Sequence, residues 1–598
     1  MRSDDFYLTY NARHLAPQEV AKTFIWSESF EKLIQTNHSV ILGARGCGKT
    51  TLMKMLTLPA LHAWKDNRAA NIKKNISFFS IYISTDIYWD VKNQTYSSQL
   101  KPFQGFAEQV SIFAVNSNVF TSLCDTFLNI IEFELEDQDD QKEIELCREL
   151  ADAWKLESVI PKLKFIKEAI NKRVDQVNQL IQNVIFNYSS EADIPKFEYF
   201  NLSFESSLEY VIPVFERIYS LSNKRKWALC FDELEFAPIW LQQKLYKSLR
   251  SRTQYLLYKL SASPILPSDL AKDIRGEYTP TSGNDVQIIK MWMSGDNERF
   301  SRKLIDSLLF NKFRTTDSLK FFGTNEIYNK AQDSYERDSP FYKEVKSLIA
   351  KDDSFRIYMS GKIKDLTDPL PKDSAQKDTL FRKIKPSVYY RNYFIERNRL
   401  RSNGQFDISY RSRKTIDLFA GIEVLTKVCD GNPRWLIGIV SSILAKSTEK
   451  GADKKLQYEE LNSAAKRFRN VIANIPIGLS NSLNLVDIID KIGAFFYNEI
   501  MGPKYHLDPR GTFKVDEDET EVPDSIVNLI EKAVSQGAII LLDCDDDSFD
   551  FELRNHRFKI SYLFFLLYKL PLRNYPAVRL SESLKNIQNF PITQTTLF

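Results

Sequence analysis

The spacing of hydrophobic positions along the chain changes period several times, and each change marks an element. Residues 39–42 (SVIL) form a short β-branched and aliphatic run, and from Lys49 onward (KTTLMKML) the apolar positions take helical spacing. A second continuous run, WALCF at 227–231, predicts another buried strand. Between them Leu163, Ile166, Ile170, Val174, Val177, Ile181 and Val184 recur at spacings of 3, 4, 4, 3, 4 and 3. That pattern predicts one amphipathic helix with a near-heptad stripe, which either projects toward a partner or packs on the core. The acidic stretch before it, EFELEDQDDQKEIELCREL, reads as a solvated helical face. Nearer the end, Leu485, Ile488, Ile489 and Ile492 share a helix face, and a strand-like GTFKV follows. Asp524 is placed as the N-cap of a helix, SIVNLIEKAVSQ, that Gly537 stops, and strands AIILL and FELRNHRFKI come next. The apolar SYLFFLLYKLPL at 561–572 is too short to span a bilayer and reads as core.

Composition narrows the picture. At roughly 150 residues per domain, 598 residues exclude a minimal module and point to about four domains. The six cysteines are scattered, without a C-x-x-C pair or a histidine at ligand spacing, so neither a disulfide framework nor a zinc module is expected. No secretory build opens the chain and no run is apolar for long enough to cross a membrane, so the expected location is the cytoplasm. With 81 Lys plus Arg against 78 Asp plus Glu, net charge is +3, and patches have to be read locally. Glycine is scarce, 19 in all with none from 106 to 275, yet three fall within six residues at Gly43, Gly46 and Gly48.

Those three belong to Gly43-Ala44-Arg45-Gly46-Cys47-Gly48-Lys49-Thr50, which matches G-x-x-x-x-G-K-[ST] between a strand and a helix. Such a loop wraps a phosphate with inward N–H groups, a path that demands dihedrals side chains forbid. The expected ligands are ATP and Mg²⁺, held by residues 43–50 and Thr51. Lys49 reaches the β- and γ-phosphates and Thr50 offers its hydroxyl to the metal. A second acidic strand end is then required, and WALCFDE supplies it: Asp232 holds Mg²⁺ through water, and Glu233 orients and deprotonates the attacking water, ahead of Glu235 as the base.

Taken together, NARHLAPQEVAKTF near the start, GARGCGKTT, CFDELE and GNPRWL at 431–436 resemble the AAA+ ATPases related to origin-recognition and initiator proteins, a group with relatives in bacterial defence loci. The resemblance implies an α/β fold: a P-loop AAA+ core with a parallel sheet, helical insertions, a helical lid and a C-terminal winged-helix-like domain. Residues 1–95 and 206–296 are the two parts of that core, 96–205 a helical insertion, 297–415 a second insertion, 416–480 the lid and 481–598 the last domain. It further implies that TQYLLYKLSASP is a strand ending in a polar sensor of the γ-phosphate, Ser261 with Ser263 as the alternative, and that DVQIIKMW completes the sheet. Arg275 takes the place of an arginine that reaches a neighbour's γ-phosphate, which makes the chain a homo-oligomer. Arg434, after Gly431 and Pro433, starts the lid helix as second sensor.

Two regions depart from a plain nucleotide switch. Residues 382–414 carry Arg382, Lys383, Lys385, Arg391, Arg397, Arg399, Arg401, Arg411, Arg413 and Lys414 against Glu396 and Asp407, a net +8. Tyr389, Tyr390, Tyr393 and Phe394 are interleaved with them, so the segment is a candidate nucleic-acid contact, its charges for phosphates and its rings for bases. The tip DCDDDSFD, by contrast, with Asp543, Asp545, Asp546, Asp547 and Asp550, would repel a phosphate backbone, so the C-terminal domain is assigned to protein contact or self-assembly. The expected function is an ATP-hydrolysing switch that controls assembly or a partner effector, with anti-phage defence as the setting by analogy. A DNA-remodelling initiator-like ATPase and a non-hydrolysing scaffold are the alternatives.

Overall fold

The computed structural model describes residues 11–585, except 91–96, 136–138, 158, 222–224, 251–255, 268–269, 271–279, 281, 293–296, 330–334, 364, 371–373, 476–483, 544–548 and 550–551. Five strands, β1 (His38–Leu42), β2 (Phe78–Ser84), β3 (Lys226–Asp232), β4 (Leu256–Ala262) and β5 (Val286–Lys290), pair in the order β2-β3-β4-β1-β5, and every pair is parallel. Alternation along the strands sends Val40, Leu42, Leu229, Phe231 and Leu260 to one face, and Ile41, Ala228, Cys230, Leu257 and Ile289 to the other. Helices cover both faces, which is why the strands read as continuous apolar runs. The chain steps to opposite sides of β1, so the crevice of this sheet opens at the carboxyl end of β1.

The long stripe lies on the helix Leu163–Asn187, with six of its seven residues buried and Val174 partly so. Leu163, Ile166 and Ile170 join the core on one sheet face, while Val177, Ile181 and Val184 pack with Phe106, Val110 and Phe113 of the helix Gln104–Ile130. Of the two readings of this stripe, packing on the core is the observed one.

The helix Asn297–Phe313, beyond β5, places Leu304, Ile305, Leu308 and Leu309 in one cluster with Leu425 and Leu436 of the helices Ile422–Val428 and Pro433–Lys446. That cluster continues through Ile488, Ile492, Phe513, Phe558 and Phe564, so these helices and the C-terminal segment share a single core. The C-terminal order is helix Leu485–Met501, β8 (Thr512–Lys514), helix Asp524–Ser535, β9 (Ile539–Leu541) and β10 (Arg557–Ile560). A further strand, β11 (Ala577–Arg579), adds parallel to β8, giving the sheet β11-β8-β10-β9. Asp524 is the first helical residue and pairs with Arg554 at 2.6 Å; the cap position belongs to Pro523. In the acidic tip, Asp545, Asp546, Asp547 and Asp550 lie outside the described residues. The helix Tyr562–Tyr568 is buried, and among the described residues no helix is long and apolar enough to cross a membrane.

The basic segment is divided between core and surface. Helices Pro340–Lys351, Asp353–Ser360 and Ser374–Phe394 enclose a small core, and β6 (Ile395–Leu400) and β7 (Phe406–Tyr410) form an antiparallel hairpin. Arg391 is fully buried. Its Nη2 and Nε donate to Asp352 Oδ2 at 2.6 and 2.9 Å, and its Nη1 donates to the carbonyls of Ile500 and Gly502, each at 2.8 Å. Those carbonyls close the helix Leu485–Met501, where no helical partner remains for them. Tyr390, Phe394 and Lys385 are buried too, so these groups are unavailable for stacking or for phosphates, contrary to expectation. Net composition does not report which helix face turns inward. Exposed on or beside the hairpin are Arg397, Arg399, Arg401, Arg411, Arg413 and Lys414.

Candidate nucleotide site

The loop 43–48 leaves β1 and enters the helix Lys49–Met55. Gly46 and Gly48 have φ of +86° and +103°, a region that favours glycine. A methyl group at Gly43 would stand 2.4 Å from Cys47 Sγ and 3.0 Å from Met291 Cβ, so the Cys47 side chain would have to turn away to admit it. A cavity of about 800 Å³ opens at this point, lined by Ala44 through Thr51, by Glu233, Glu235 and Ser263, and by Arg434 of the helix Pro433–Lys446. Its apolar end includes Phe24, Trp26, Ile265 and Leu304.

Lys49 is buried, and its ammonium donates to the Gly43 carbonyl at 2.5 Å and lies 3.6 Å from Glu235 Oε1. Burial is the largest single influence and favours the neutral amine, but Glu235, Cys47, Asp232 and Glu233 together outweigh it and raise the pKa above the usual lysine value. Burial pushes the Glu235 carboxyl up, with Lys49 opposing. Glu235, ranked second as base from sequence, therefore faces the loop lysine.

The acidic end of β3 is a hydrogen-bonded unit. Asp232, almost fully buried, accepts the Tyr82 hydroxyl at 3.0 Å and the Ser261 hydroxyl at 2.6 Å; Ser261 in turn accepts the Glu233 N–H at 2.9 Å. Ser261 thus braces the carboxylates, and of the two sensor candidates Ser263 is the one in the cavity wall. Glu233 has φ +57°, a conformation costing a non-glycine residue of order 1–3 kcal/mol, and its Oε2 lies 3.1 Å from Arg13 Nη1. Oε2 of Glu235 is buried without a hydrogen bond, whereas Oε2 of Glu233 is held by the Arg13 ion pair. The free Glu235 oxygen, with the Thr50 hydroxyl in the same wall, suits a Mg²⁺ ion that keeps waters and phosphate oxygens as its other ligands. Thr50 and Asp232 would hold that ion, directly or through water.

The start of the helix Pro433–Lys446 meets the loop. Asn432 caps the helix Pro433–Lys446, accepting from the Arg434 and Trp435 N–H groups, while its amide donates to the Arg45 carbonyl at 3.1 Å. The Arg434 N–H donates to the Gly46 carbonyl at 3.4 Å, and its guanidinium reaches Asn11 Oδ1 at 3.3 Å. Arg275 lies outside the described residues. Sequence reasoning missed Arg13, Tyr82 and Asn432; only Asn432, an N-cap residue type before a helix-start proline, carried a local signal. It also missed Glu531, Lys532, Ser535 and Gln536, which line the cavity from the C-terminal segment and have no local mark.

No curated protein and no solved structure matches the chain. The model of one protein family, described as ORC-CDC6-like, matches residues 5–580, nearly the whole length. With its glycine-rich loop and five-stranded parallel sheet, the chain belongs to the ORC-CDC6-like family, an AAA+ ATPase group of the initiator type.

Proposed function

We propose that the protein binds and hydrolyses ATP and works as a nucleotide-controlled switch that regulates its own assembly or a partner effector. The observation that carries this reading is the convergence of three elements on one cavity: Lys49 from the loop, Glu233 from the end of β3, and Arg434 from the lid. Lys49 binds the β- and γ-phosphates, Glu233 orients the attacking water and takes its proton, and Arg434 links the state of the phosphates to lid position. Thr50 and Asp232 would hold a Mg²⁺ ion, which would neutralise charge on the phosphates. Arg275 is assigned to a neighbouring subunit's site, so the active form is an oligomer. The resemblance to relatives in defence loci supports an anti-phage setting by analogy.

A second reading, DNA binding or remodelling, is favoured by the six exposed basic residues of the β6–β7 hairpin and its flank together with the initiator-type family. Turnover assays separate the readings. Glu233→Gln keeps ATP affinity but lowers hydrolysis by about 100-fold or more; unchanged turnover overturns its role. Strong stimulation of the wild type by duplex DNA selects the second reading, stimulation by a protein partner the first, and ATP binding without any turnover a scaffold.

A further inference from the structure

The phosphate loop is engaged by the C-terminal domain. The Arg45 N–H, inside the G-x-x-x-x-G-K-T loop, donates to the Ser535 carbonyl at 2.8 Å. Ser535 ends the twelve-residue helix Asp524–Ser535. Of the carbonyls at that end, Lys532, Ala533 and Val534 accept from Gln536, Ala538 and Gly537, and Ser535 gives its own across to the loop. Gly537, at φ +74°, makes the close approach possible: a Cβ built there would lie 3.3 Å from Ala44 Cβ. The lid turn is held to the same point. Asp430, two residues before Asn432, accepts from Lys559 Nζ at 2.6 Å, Ser561 Oγ at 2.9 Å and the Tyr562 N–H at 2.8 Å.

The sign of this contact follows from charge. The carboxyl end of a helix carries about half a negative charge, and here that end is turned toward a loop whose sequence is built to take phosphate. One turn back, Glu531 lines the cavity, with Lys532 beside it offsetting part of its charge. Burial raises the Glu531 carboxyl above its usual value, as a poorly solvated acid in that wall must. A polyphosphate entering the cavity meets a helix carboxyl end, a carbonyl already on a loop N–H, and a carboxylate.

We infer that the carboxyl end of the helix Asp524–Ser535 is an intramolecular competitor of nucleotide phosphates for the phosphate loop, so that ATP binding and docking of the C-terminal domain on that loop oppose each other. The inference rests on the ATP-binding reading and gives it an output. Because coupling between two binding events is reciprocal, the docked helix end weakens ATP, and ATP loosens the helix end by the same factor. Occupancy of the nucleotide site thereby changes which surfaces of residues 524–541 a partner or a second copy can reach.

The test uses the full chain, titrated calorimetrically with ATP and with adenosine, for the wild type, Glu531→Gln and Gly537→Ala. The first variant is nearly isosteric and removes the wall charge; the second pushes a methyl group against Ala44, and the first decides alone if the second does not fold. Each variant is expected to bind ATP about fivefold or more tightly with adenosine affinity unchanged, and ATP is expected to speed amide exchange across 524–541. Unchanged or weaker ATP binding by Glu531→Gln, an equal gain for adenosine, or slower exchange across 524–541 with ATP overturns the inference. If the wild type binds ATP and only the variants fail to respond, the inference alone falls; if it binds none, the ATP-binding reading falls with it.

Discussion

Two buried cations show how the same residue class is put to opposite uses in this fold. Lys49 and Arg391 are both withdrawn from water, at 6% and 0% exposure. Arg391 has its guanidinium filled by Asp352 and by two carbonyls at the end of the helix Leu485–Met501, and it lines no cavity named above. Lys49 has one carbonyl, a carboxylate at 3.6 Å, and a wall of the largest cavity described. A buried charge whose partners are all protein fixes architecture, because removing either member strands the other in low dielectric. A buried charge at a cavity edge keeps capacity for a ligand. The hydrogen-bonded partners also differ in origin: those of Arg391 lie 39, 109 and 111 positions away in sequence, whereas Lys49 donates to a loop carbonyl 6 positions away and meets the distant Glu235 only at 3.6 Å.

Breaking the comparison from the Arg391 side has the largest expected effect. Arg391→Ala leaves Asp352 buried and uncompensated, at a cost of about 3–5 kcal/mol; chemical denaturation measures it, and an unchanged midpoint would refute the structural assignment. ATP affinity of the folded fraction is expected to stay within a small factor. Lys49→Ala inverts the pattern: ATP affinity falls about 100-fold, in the range of 2–5 kcal/mol for losing one member of a buried charged pair, with little change in the melting temperature. Intact ATP binding in this variant falsifies the phosphate-loop assignment.

A third buried cation sharpens the contrast by having no carboxylate. Lys259, in the middle of β4, donates to Gln35 O and Ser39 Oγ at 2.7 and 2.9 Å, and burial lowers its pKa to about 7. Its folded value is below the unfolded one near 10.4, so between about pH 7 and 10 the unfolded chain holds the extra proton and stability rises with pH. Relative to Lys259→Met, the wild type should gain up to about 1.4 kcal/mol per pH unit across that window. Denaturation series at pH 7, 8 and 9 check this, and parallel curves for the two proteins would exclude a neutral buried lysine.

The sheet was legible where the signal is local. The SVIL run, the glycine-spaced loop and the helix after it occupy consecutive positions, and the run before Asp232 announces a strand covered on both faces. The long stripe gave the helix Leu163–Asn187 but not its partner, since periodicity defines a face and leaves the neighbour open. Gly537 was legible as a stop, whereas its approach to Ala44 was not, and Asp524 lost the cap position to Pro523 by one residue. In 382–414 the reading went wrong for Tyr390, Arg391 and Phe394, because charge and ring counts do not distinguish the buried face of a helix from the exposed one. Of the candidate site residues, the loop, Glu233 and Arg434 stand together in the structure; Ser261 turns to Asp232, and Arg13, Asn432 and the C-terminal wall had to be found there.

The sequence by itself determined the parts whose physics is short-range: a loop whose dihedrals require glycine, strands whose apolar runs require two covered faces, and an acidic strand end. Only the tertiary structure decided which charges became architecture, that the helices of residues 422–446 and the C-terminal segment share one core, and that a helix end from position 535 rests on a loop at position 45. Those outcomes depend on closing long stretches of chain and on satisfying buried polar groups with partners far away, and neither condition leaves a periodic trace in the order of residues.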